Sequence, residues 1–440
     1  MSGRPIVAIV GRPNVGKSTL FNRLAGRRDA IVSDVSGTTR DRVTAETVWA
    51  GRPFILVDTG GLDLLPETEL SESIQAQARV AIDDADVIVA MVDAVEGSAP
   101  GDMDVADVLR RTDKPVVLAV NKADNERREA VSSEFYALGL GDPLPISAYH
   151  NLGIDGLIAR VVELLPEGPL FPEPEADIKL AIVGRTNVGK SMLVNTITGQ
   201  ERAIVSDIPG TTRDALDTLV PHGDRSILLI DTAGIRRRGR IEPGIERYSV
   251  LRAVRAIDRA DVVVLVTDAS ELATSQDSHI AAPVLDSHKG MVIAVNKWDL
   301  SEDLGMPRED ALMRVADRFK FARYTPIRFV SALTGSGVGG LLDTVQTVYG
   351  QWTKGVPRYD LRRTIMNAVA DNPPSPSGRR SLKIYGVAQD RTGPPSFTFY
   401  VNRSDMVHFS YRRYLENSLR AAYDFTGSPL RMRFKGRGEK

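Results

Sequence analysis

Cysteine is absent from the 440 residues, which excludes disulfides, thiolate metal sites and a catalytic thiol. Histidine is scarce: there are five, scattered without metal-ligand spacing. No apolar run approaches the roughly 18 residues of a membrane span. The amino terminus enters a strand pattern after about five residues, leaving no room for a signal peptide, so a cytoplasmic chain with no membrane partner is expected. Charge of one sign is missing from the whole but not from its parts. The net charge of −1 conceals an ending, Gln351 to Lys440, with 17 Lys/Arg against 7 Asp/Glu. Charge segregated this strongly points to a basic end that meets a polyanion. The length exceeds the size at which one core keeps growing, so two or three domains are expected.

What the sequence does hold, it holds twice. Gly11-Arg12-Pro13-Asn14-Val15-Gly16-Lys17-Ser18 returns as Gly184-Arg185-Thr186-Asn187-Val188-Gly189-Lys190-Ser191, each after an apolar strand pattern. Ser33–Asp41 returns as Ser206–Asp214, and Asp58-Thr59-Gly60-Gly61-Leu62 as Asp231-Thr232-Ala233-Gly234-Ile235. The offset, about 173 residues, is that of a duplicated domain and is too long for a solenoid repeat.

Short apolar strands alternate with helical patterns in both halves. Strands are expected at Ile6–Val10, Phe54–Val57, Val87–Val92, Val116–Val120 and Leu144–Ile146, with helices at Lys17–Ala25 and Glu72–Ile82. The second half repeats this with strands at Ile227–Ile230, Val262–Val266, Val292–Val295 and Ile327–Phe329. Such alternation predicts α/β domains with mostly parallel, doubly wound sheets. The boundaries expected are a first domain over 1–165, an acidic proline-rich linker over 166–177, a second domain over 178–352 and a third over 353–440. The third has a different pattern. It reads as a helix (Leu361–Ala370), a loop at Pro373–Gly378 and two strands (Leu382–Gln389, Ser396–Val401). A helix from Met406 to Tyr423 capped by Ser404 or Asp405 and a last strand, Pro429–Phe434, complete a small α+β domain.

Each repeated loop fits G-x-x-x-x-G-K-[ST] between a strand and a helix, a phosphate-binding loop. Its glycines let backbone N–H groups turn toward phosphate oxygens, Lys17 and Lys190 would reach the β- and γ-phosphates, and Ser18 and Ser191 would ligate Mg²⁺. The base is chosen elsewhere. Asn121-Lys122-Ala123-Asp124 and Asn296-Lys297-Trp298-Asp299 each follow a short apolar strand. An aspartate accepts both guanine N1–H and N2–H₂, whereas adenine would leave it mispaired, so Asp124 and Asp299 read guanine and Asn121 and Asn296 brace the loop. Backbone N–H groups at Ser147-Ala148 and Ser331-Ala332 would support the guanine O6. Asp58 and Asp231 suit Mg²⁺ held through water, and Gly61 and Gly234 would give an N–H to the γ-phosphate. Thr39 and Thr212, in the Thr-Thr pairs 38/39 and 211/212, would complete the Mg²⁺ shell. Where many such proteins orient the attacking water with Gln, this chain has Leu62 and Ile235, and alkyl groups cannot polarise water. Slow intrinsic turnover is expected.

These motifs, with Val407-His-Phe-Ser-Tyr-Arg-Arg-Tyr-Leu-Glu-Asn417 near the end, resemble the Der (EngA) family of bacterial tandem GTPases, within the wider group related to TrmE and Era. The resemblance covers essentially the whole chain and makes the third domain KH-like. It implies GTP hydrolysis with GTP and GDP as ligands, binding to the large ribosomal subunit and its rRNA during subunit maturation, and a monomer. It further implies K⁺ as activator, held by Asn14 and Asn187. Nucleotide state would control domain packing. The alternative is a GTP-dependent switch or scaffold with only one hydrolytic domain. There are departures: Met192 stands where Ser or Thr is usual, the linker is short, and the ending lacks the Gly-x-x-Gly clamp of ordinary KH modules, so it reads as a docking platform. Of the aromatics near the end, Phe397, Phe399, Phe409, Tyr411 and Tyr414, most are expected in the core, with Phe397 and Phe399 on one strand face. The copies diverge after the Gly234 segment, where Ile235-Arg-Arg-Arg-Gly-Arg240 faces an acidic counterpart, Leu62–Glu69. The arginines are expected to dock on RNA phosphates or on the ending domain in one nucleotide state.

Overall fold

Ile6–Val10 is an unbroken apolar run, and all of it is buried, as in a parallel strand covered on both faces. The computed structural model describes residues 4–25, 44–59, 85–166, 176–200, 204–205, 217–232, 250–374 and 382–436. The expected helix at Glu72–Ile82, most of the linker, the Pro373–Gly378 loop beyond residue 374 and the arginine run lie outside them.

In the first copy the strands are β1 (Ile6–Gly11), β2 (Thr44–Trp49), β3 (Arg52–Asp58), β4 (Val87–Asp93), β5 (Val116–Asn121) and β6 (Leu144–Pro145), in the order β2-β3-β1-β4-β5-β6. β1 runs parallel to β3 and β4, with Ile6 opposite Ile55 and Val7 opposite Val87. β2 is antiparallel to β3 through Ala50 and Gly51, both at positive φ (48° and 78°), the mirror-image turn that suits strand twist. The helices are α1 (Lys17–Ala25), α2 (Pro100–Leu109), α3 (Glu126–Val131) and α4 (Ile154–Leu164). Successive residues of β1 serve opposite faces: Val7 and Ile9 pack with Leu20 and Phe21 of α1 and Leu157 of α4, while Ala8 and Val10 pack with Val105 and Leu109 of α2.

The second copy has β7 (Ile178–Gly184), β8 (Ile204–Val205), β9 (Thr218–His222), β10 (Arg225–Ile230), β11 (Val262–Asp268), β12 (Gly290–Asn296) and β13 (Ile327–Phe329). Their order is β13-β12-β11-β7-β10-β9-β8, the same topology with one more strand beyond β9. Its sequence also supplies α5 (Lys190–Gln200), α6 (Val250–Arg259), α7 (Ser275–Asp286), α8 (Arg308–Arg318) and α9 (Val338–Trp352).

By internal contacts the chain divides into Met1–Glu173 with Tyr248–Arg259, and Pro174–Arg247 with Ala260–Lys440. Helix α6 therefore belongs to the unit built on the first sheet. Leu251 and Val254 are buried in the cluster that holds Ile6, Ala8, Val10, Ile55 and Val57. Arg255 donates to Asp86 at 2.8 Å, and Asp258 accepts the backbone N–H of Arg4 at 2.8 Å. These positions share one helix face by their three- and four-residue spacing.

The ending folds as α10 (Arg358–Asp371), β14 (Ile384–Arg391), β15 (Ser396–Val401), α11 (Phe409–Tyr423) and β16 (Arg431–Gly436), the expected α-β-β-α-β order. β14 pairs antiparallel and β16 parallel to β15. Phe397 and Phe399 are fully buried with Leu361, Ile365, Leu415 and Leu419, so they do share a core face; Phe409 does not, being 61% exposed. The cap expectation fails. Ser404–Met406 forms a separate 3₁₀ turn, Val407 is extended, and His408 caps α11, its ring nitrogen accepting from the Ser410 N–H. Gly427 ties this domain to the second sheet's unit, donating to the Tyr324 carbonyl at 2.7 Å and accepting from Met291 N–H at 2.8 Å.

Candidate functional site

In each copy the phosphate loop joins the C-terminal end of the central strand to a helix, where open parallel sheets present ligand sites. The loop is tied to the base-reading segment by one side chain. Asn121 donates through Nδ2 to the Val15 carbonyl at 2.7 Å and accepts the Ala148 N–H on Oδ1 at 2.9 Å. Asn296 does the same with Val188 (2.8 Å) and Ala332 (2.9 Å). This link explains the second loop glycine. Gly16 (φ +99°) and Gly189 (φ +91°) pack so tightly on these asparagines that a Cβ would strike the amide nitrogen. Val15 and Val188 anchor the loops in the core, while Asn14 (φ +65°) and Asn187 (φ +63°) are exposed in left-handed backbone. Pro13 is exposed and Thr186 half-buried.

Lys17 is buried, and its ammonium donates to the carbonyls of Gly11 (2.8 Å) and Arg12 (2.7 Å). Burial holds it below its ordinary pKa; Asp58 opposes that shift and the Arg12 charge adds to it. Lys190 likewise donates to the Arg185 carbonyl. Ser18 Oγ donates to Asp58 Oδ2 at 2.7 Å, and Thr59 fixes the start of the next segment by donating to the Ile9 carbonyl at 2.7 Å. The second copy is built differently at this point. Asp231 has φ +59° and gives its N–H to Asp217 at 2.9 Å, and Thr232 pairs with Thr218 at 2.8 Å. Thr39, Thr212, Gly60, Gly61, Leu62, Ala233, Gly234 and Ile235 lie outside the described residues.

In the base-reading segments Lys122 (φ +65°) and Lys297 (φ +61°) adopt the same left-handed turn. Each ammonium returns to the end of a neighbouring strand, Lys122 to Asp93 and Lys297 to Asp268 at 2.6 Å. Ala123 N–H bonds the Ile146 carbonyl at 2.9 Å and Trp298 N–H that of Val330 at 3.1 Å, which aligns the two loops of each site. Asp124 is half-buried beside Arg128 (2.6 Å), whose hydrogen bond keeps its carboxyl below the usual range and hence an acceptor. Asp299 is exposed in a short 3₁₀ turn. The N–H groups proposed for O6 already have protein acceptors: Ser147 bonds Leu152 and Ser331 bonds Ser336, both at 2.9 Å, and those of Ala148 and Ala332 go to the asparagines.

Sequence reasoning missed a set of carboxylates behind the loops. Arg12 Nε donates to Asp102 at 2.7 Å and Nη1 to Glu96 at 3.0 Å; Arg185 meets Asp277 at 2.9 Å and Glu271 at 2.8 Å. The signal was present. Asp93-Ala94-x-Glu96 and Asp102 recur as Asp268-Ala269-x-Glu271 and Asp277, at an offset of 175 rather than 173 residues.

Two phosphate loops of this form, each bridged to an aspartate-bearing loop on a parallel sheet, define a tandem P-loop GTPase. Residues 6–122 and 179–297 match the family described as MMR_HSR1, 50S ribosome-binding GTPase. Residues 356–435 match the KH-domain-like C-terminal domain of EngA bacterial GTPase enzymes. GTPase Der of Chloroflexus aggregans is 49% identical over 444 residues, covering 99% of both chains. GTPase Der of Herpetosiphon aurantiacus is 50% identical, covering 99% of this chain and 98% of its own. The chain belongs to the Der (EngA) family; it binds guanine nucleotide and hydrolyses GTP. Mg²⁺ is the metal with which such GTPases work. Among the described residues no helix is long and apolar enough to cross a membrane.

Proposed function

We propose that this GTPase acts in maturation of the large ribosomal subunit, as a cytoplasmic monomer whose nucleotide state controls its domain packing and its hold on rRNA. The domains doing so are 1–165, 178–352 and a KH-like 353–440, joined through 166–177. The observation that carries the reading is the segregated charge: an ending with 17 cations against 7 anions attached to a chain that matches 50S ribosome-binding GTPases. A protein neutralising several phosphates releases counterions, so its binding must weaken steeply with salt. Co-sedimentation with isolated subunits, in GTP and in GDP, is the test. We expect salt-sensitive binding to the large subunit that differs between nucleotides; binding that ignores both would overturn the reading.

At each site Lys17 or Lys190 neutralises the β- and γ-phosphates while water attacks in line. Asp124 and Asp299 read guanine, and Gly61 and Gly234 sense the γ-phosphate. Ser18 with Asp58 and Ser191 with Asp231 would hold Mg²⁺, completed by Thr39 and Thr212. The first copy fits that ion: its hydroxyl and carboxylate stand 2.7 Å apart, and Mg²⁺ needs few protein oxygens when phosphates and water supply the rest. Asn14 and Asn187, exposed on the loops, would hold K⁺, so hydrolysis by the same preparation should run faster in KCl than in NaCl. A second reading, with one site hydrolytic and the other only binding, is favoured by the different backbones of Asp58 and Asp231.

A further inference from the structure

The arginine that follows the first glycine of each phosphate loop is largely buried. Its guanidinium is clamped by two carboxylates from the segment after the neighbouring strand, through Nε and Nη1 in both copies; Nη2 of Arg185 also donates to the Glu271 carbonyl at 3.2 Å. The deeper carboxylates, Asp102 and Asp277, are themselves held. Their second oxygens accept the backbone N–H of Ala99 (3.0 Å) and Thr274 (2.9 Å), capping α2 and α7. A carboxylate fixed to a helix start and fully desolvated cannot follow a moving arginine; the arginine must follow it. On the other side of the same residue, the carbonyls of Arg12 and Arg185 accept the ammonium groups of Lys17 and Lys190. A continuous path therefore runs from helix cap to carboxylate, to guanidinium, to loop carbonyl, to lysine. The path recurs with its own residues kept, Arg12/Arg185, Lys17/Lys190, Glu96/Glu271 and Asp102/Asp277, while the neighbours Pro13/Thr186 and Val95/Ser270 differ.

We propose that Asp102 and Asp277, through Arg12 and Arg185, are positioning residues that set the place of the phosphate lysines in GTP hydrolysis. Two effects follow. The clamp orients the carbonyl against which the lysine rests, and it keeps the guanidinium paired with anions, so that the arginine does not compete with the lysine for phosphate. An ångström of misplacement in a charge-neutralising group costs rate more than affinity, because the charge that builds on the leaving β-phosphate oxygens as the bond breaks is present only in the transition state. This inference rests on the assignment of Lys17 and Lys190 to the phosphates.

The test uses the full chain with the other site silenced: Arg12→Ala, Asp102→Asn and the double variant in a Lys190→Ala background, and Arg185→Ala, Asp277→Asn and their double in Lys17→Ala. Asparagine keeps the oxygen that caps the helix while removing the charge that clamps the arginine. Single-turnover hydrolysis and affinity for a fluorescent GTP analogue are measured at each site. At any hydrolytic site, we expect each single variant to slow hydrolysis by about 10- to 100-fold with a smaller loss of affinity. The double should be no slower than the worse single, because both act through one contact. Losses that multiply, or singles that bind and hydrolyse as their background does, would overturn the inference. Lys17→Ala added to the Lys190→Ala background is the reference. If it changes neither rate nor affinity, the phosphate assignment itself fails. If it lowers them and Asp102→Asn does not, only the positioning role fails.

Discussion

At the scale of residues, the site divides into groups the sequence announces and groups it conceals. Gly16, Lys17, Ser18, Asn121 and Asp124, on which the proposed site is built, stand out in the sequence because phosphate and guanine would demand those types at those spacings. The bracing role of Asn121 is also legible, and the structure adds its partners, Val15 and Ala148. Asp102 and Glu96 were not legible. They lie far along the chain from Arg12, and a two-residue drift in the repeat offset hides the recurrence of their pattern. At this scale the base-reading claim is exposed to a single substitution. Asp124→Asn replaces an acceptor of two hydrogen bonds by a group that offers N1–H a donor or an unsatisfactory geometry. In a Lys190→Ala background it should weaken GTP binding at least about a hundredfold and raise affinity for xanthosine triphosphate, whose C2 oxygen accepts from the new amide. Competition between the two nucleotides measures this; an unchanged preference for GTP would remove Asp124 from the base site.

Among the elements, strands are the most legible in the sequence. β13 and β15 match expectation to the residue, because short apolar runs bounded by turns leave little choice. The helix Lys17–Ala25 also matches to the residue, but the start of the last helix does not. The start of α11 shifted from Ser404/Asp405 to His408 because a 3₁₀ turn and the extended Val407 intervene, which no periodicity reveals. Helix α6 shows a deeper limit. Its apolar face, with Leu251 and Val254, says that it must be buried but not against what, and it packs with β1 and β3. Leu251→Ala should cost about 2–5 kcal/mol by loss of transfer energy and the cavity left behind. Hydrogen exchange should locate the loss in the strands of the first sheet, Ile6–Val10 above all. Exchange unchanged there would mean that α6 is not part of that core.

At the scale of the whole molecule, duplication governs the account. The two sheets share one topology, the two loops share one asparagine link and one arginine clamp, and the copies part company at Asp58 and Asp231. The loop framework is repeated, while the backbone at Asp58 and Asp231 is not, so equal turnover at the two sites does not follow from equal loops. The α/β class and the separate α+β ending were legible from strand and helix alternation. The membership of α6 in the first sheet's unit was not, because it depends on tertiary packing between segments about 250 residues apart. The proposed mechanism confines GTP hydrolysis to the sites formed by these loops. Steady-state hydrolysis by Lys17→Ala, Lys190→Ala and the double variant tests it most directly. The double should fall to about 1% of the unaltered rate or less, as expected when the main charge-neutralising groups are removed. The split between the singles then reports how the sites share the work. A double variant that still turns over at the unaltered rate would place hydrolysis elsewhere in the chain.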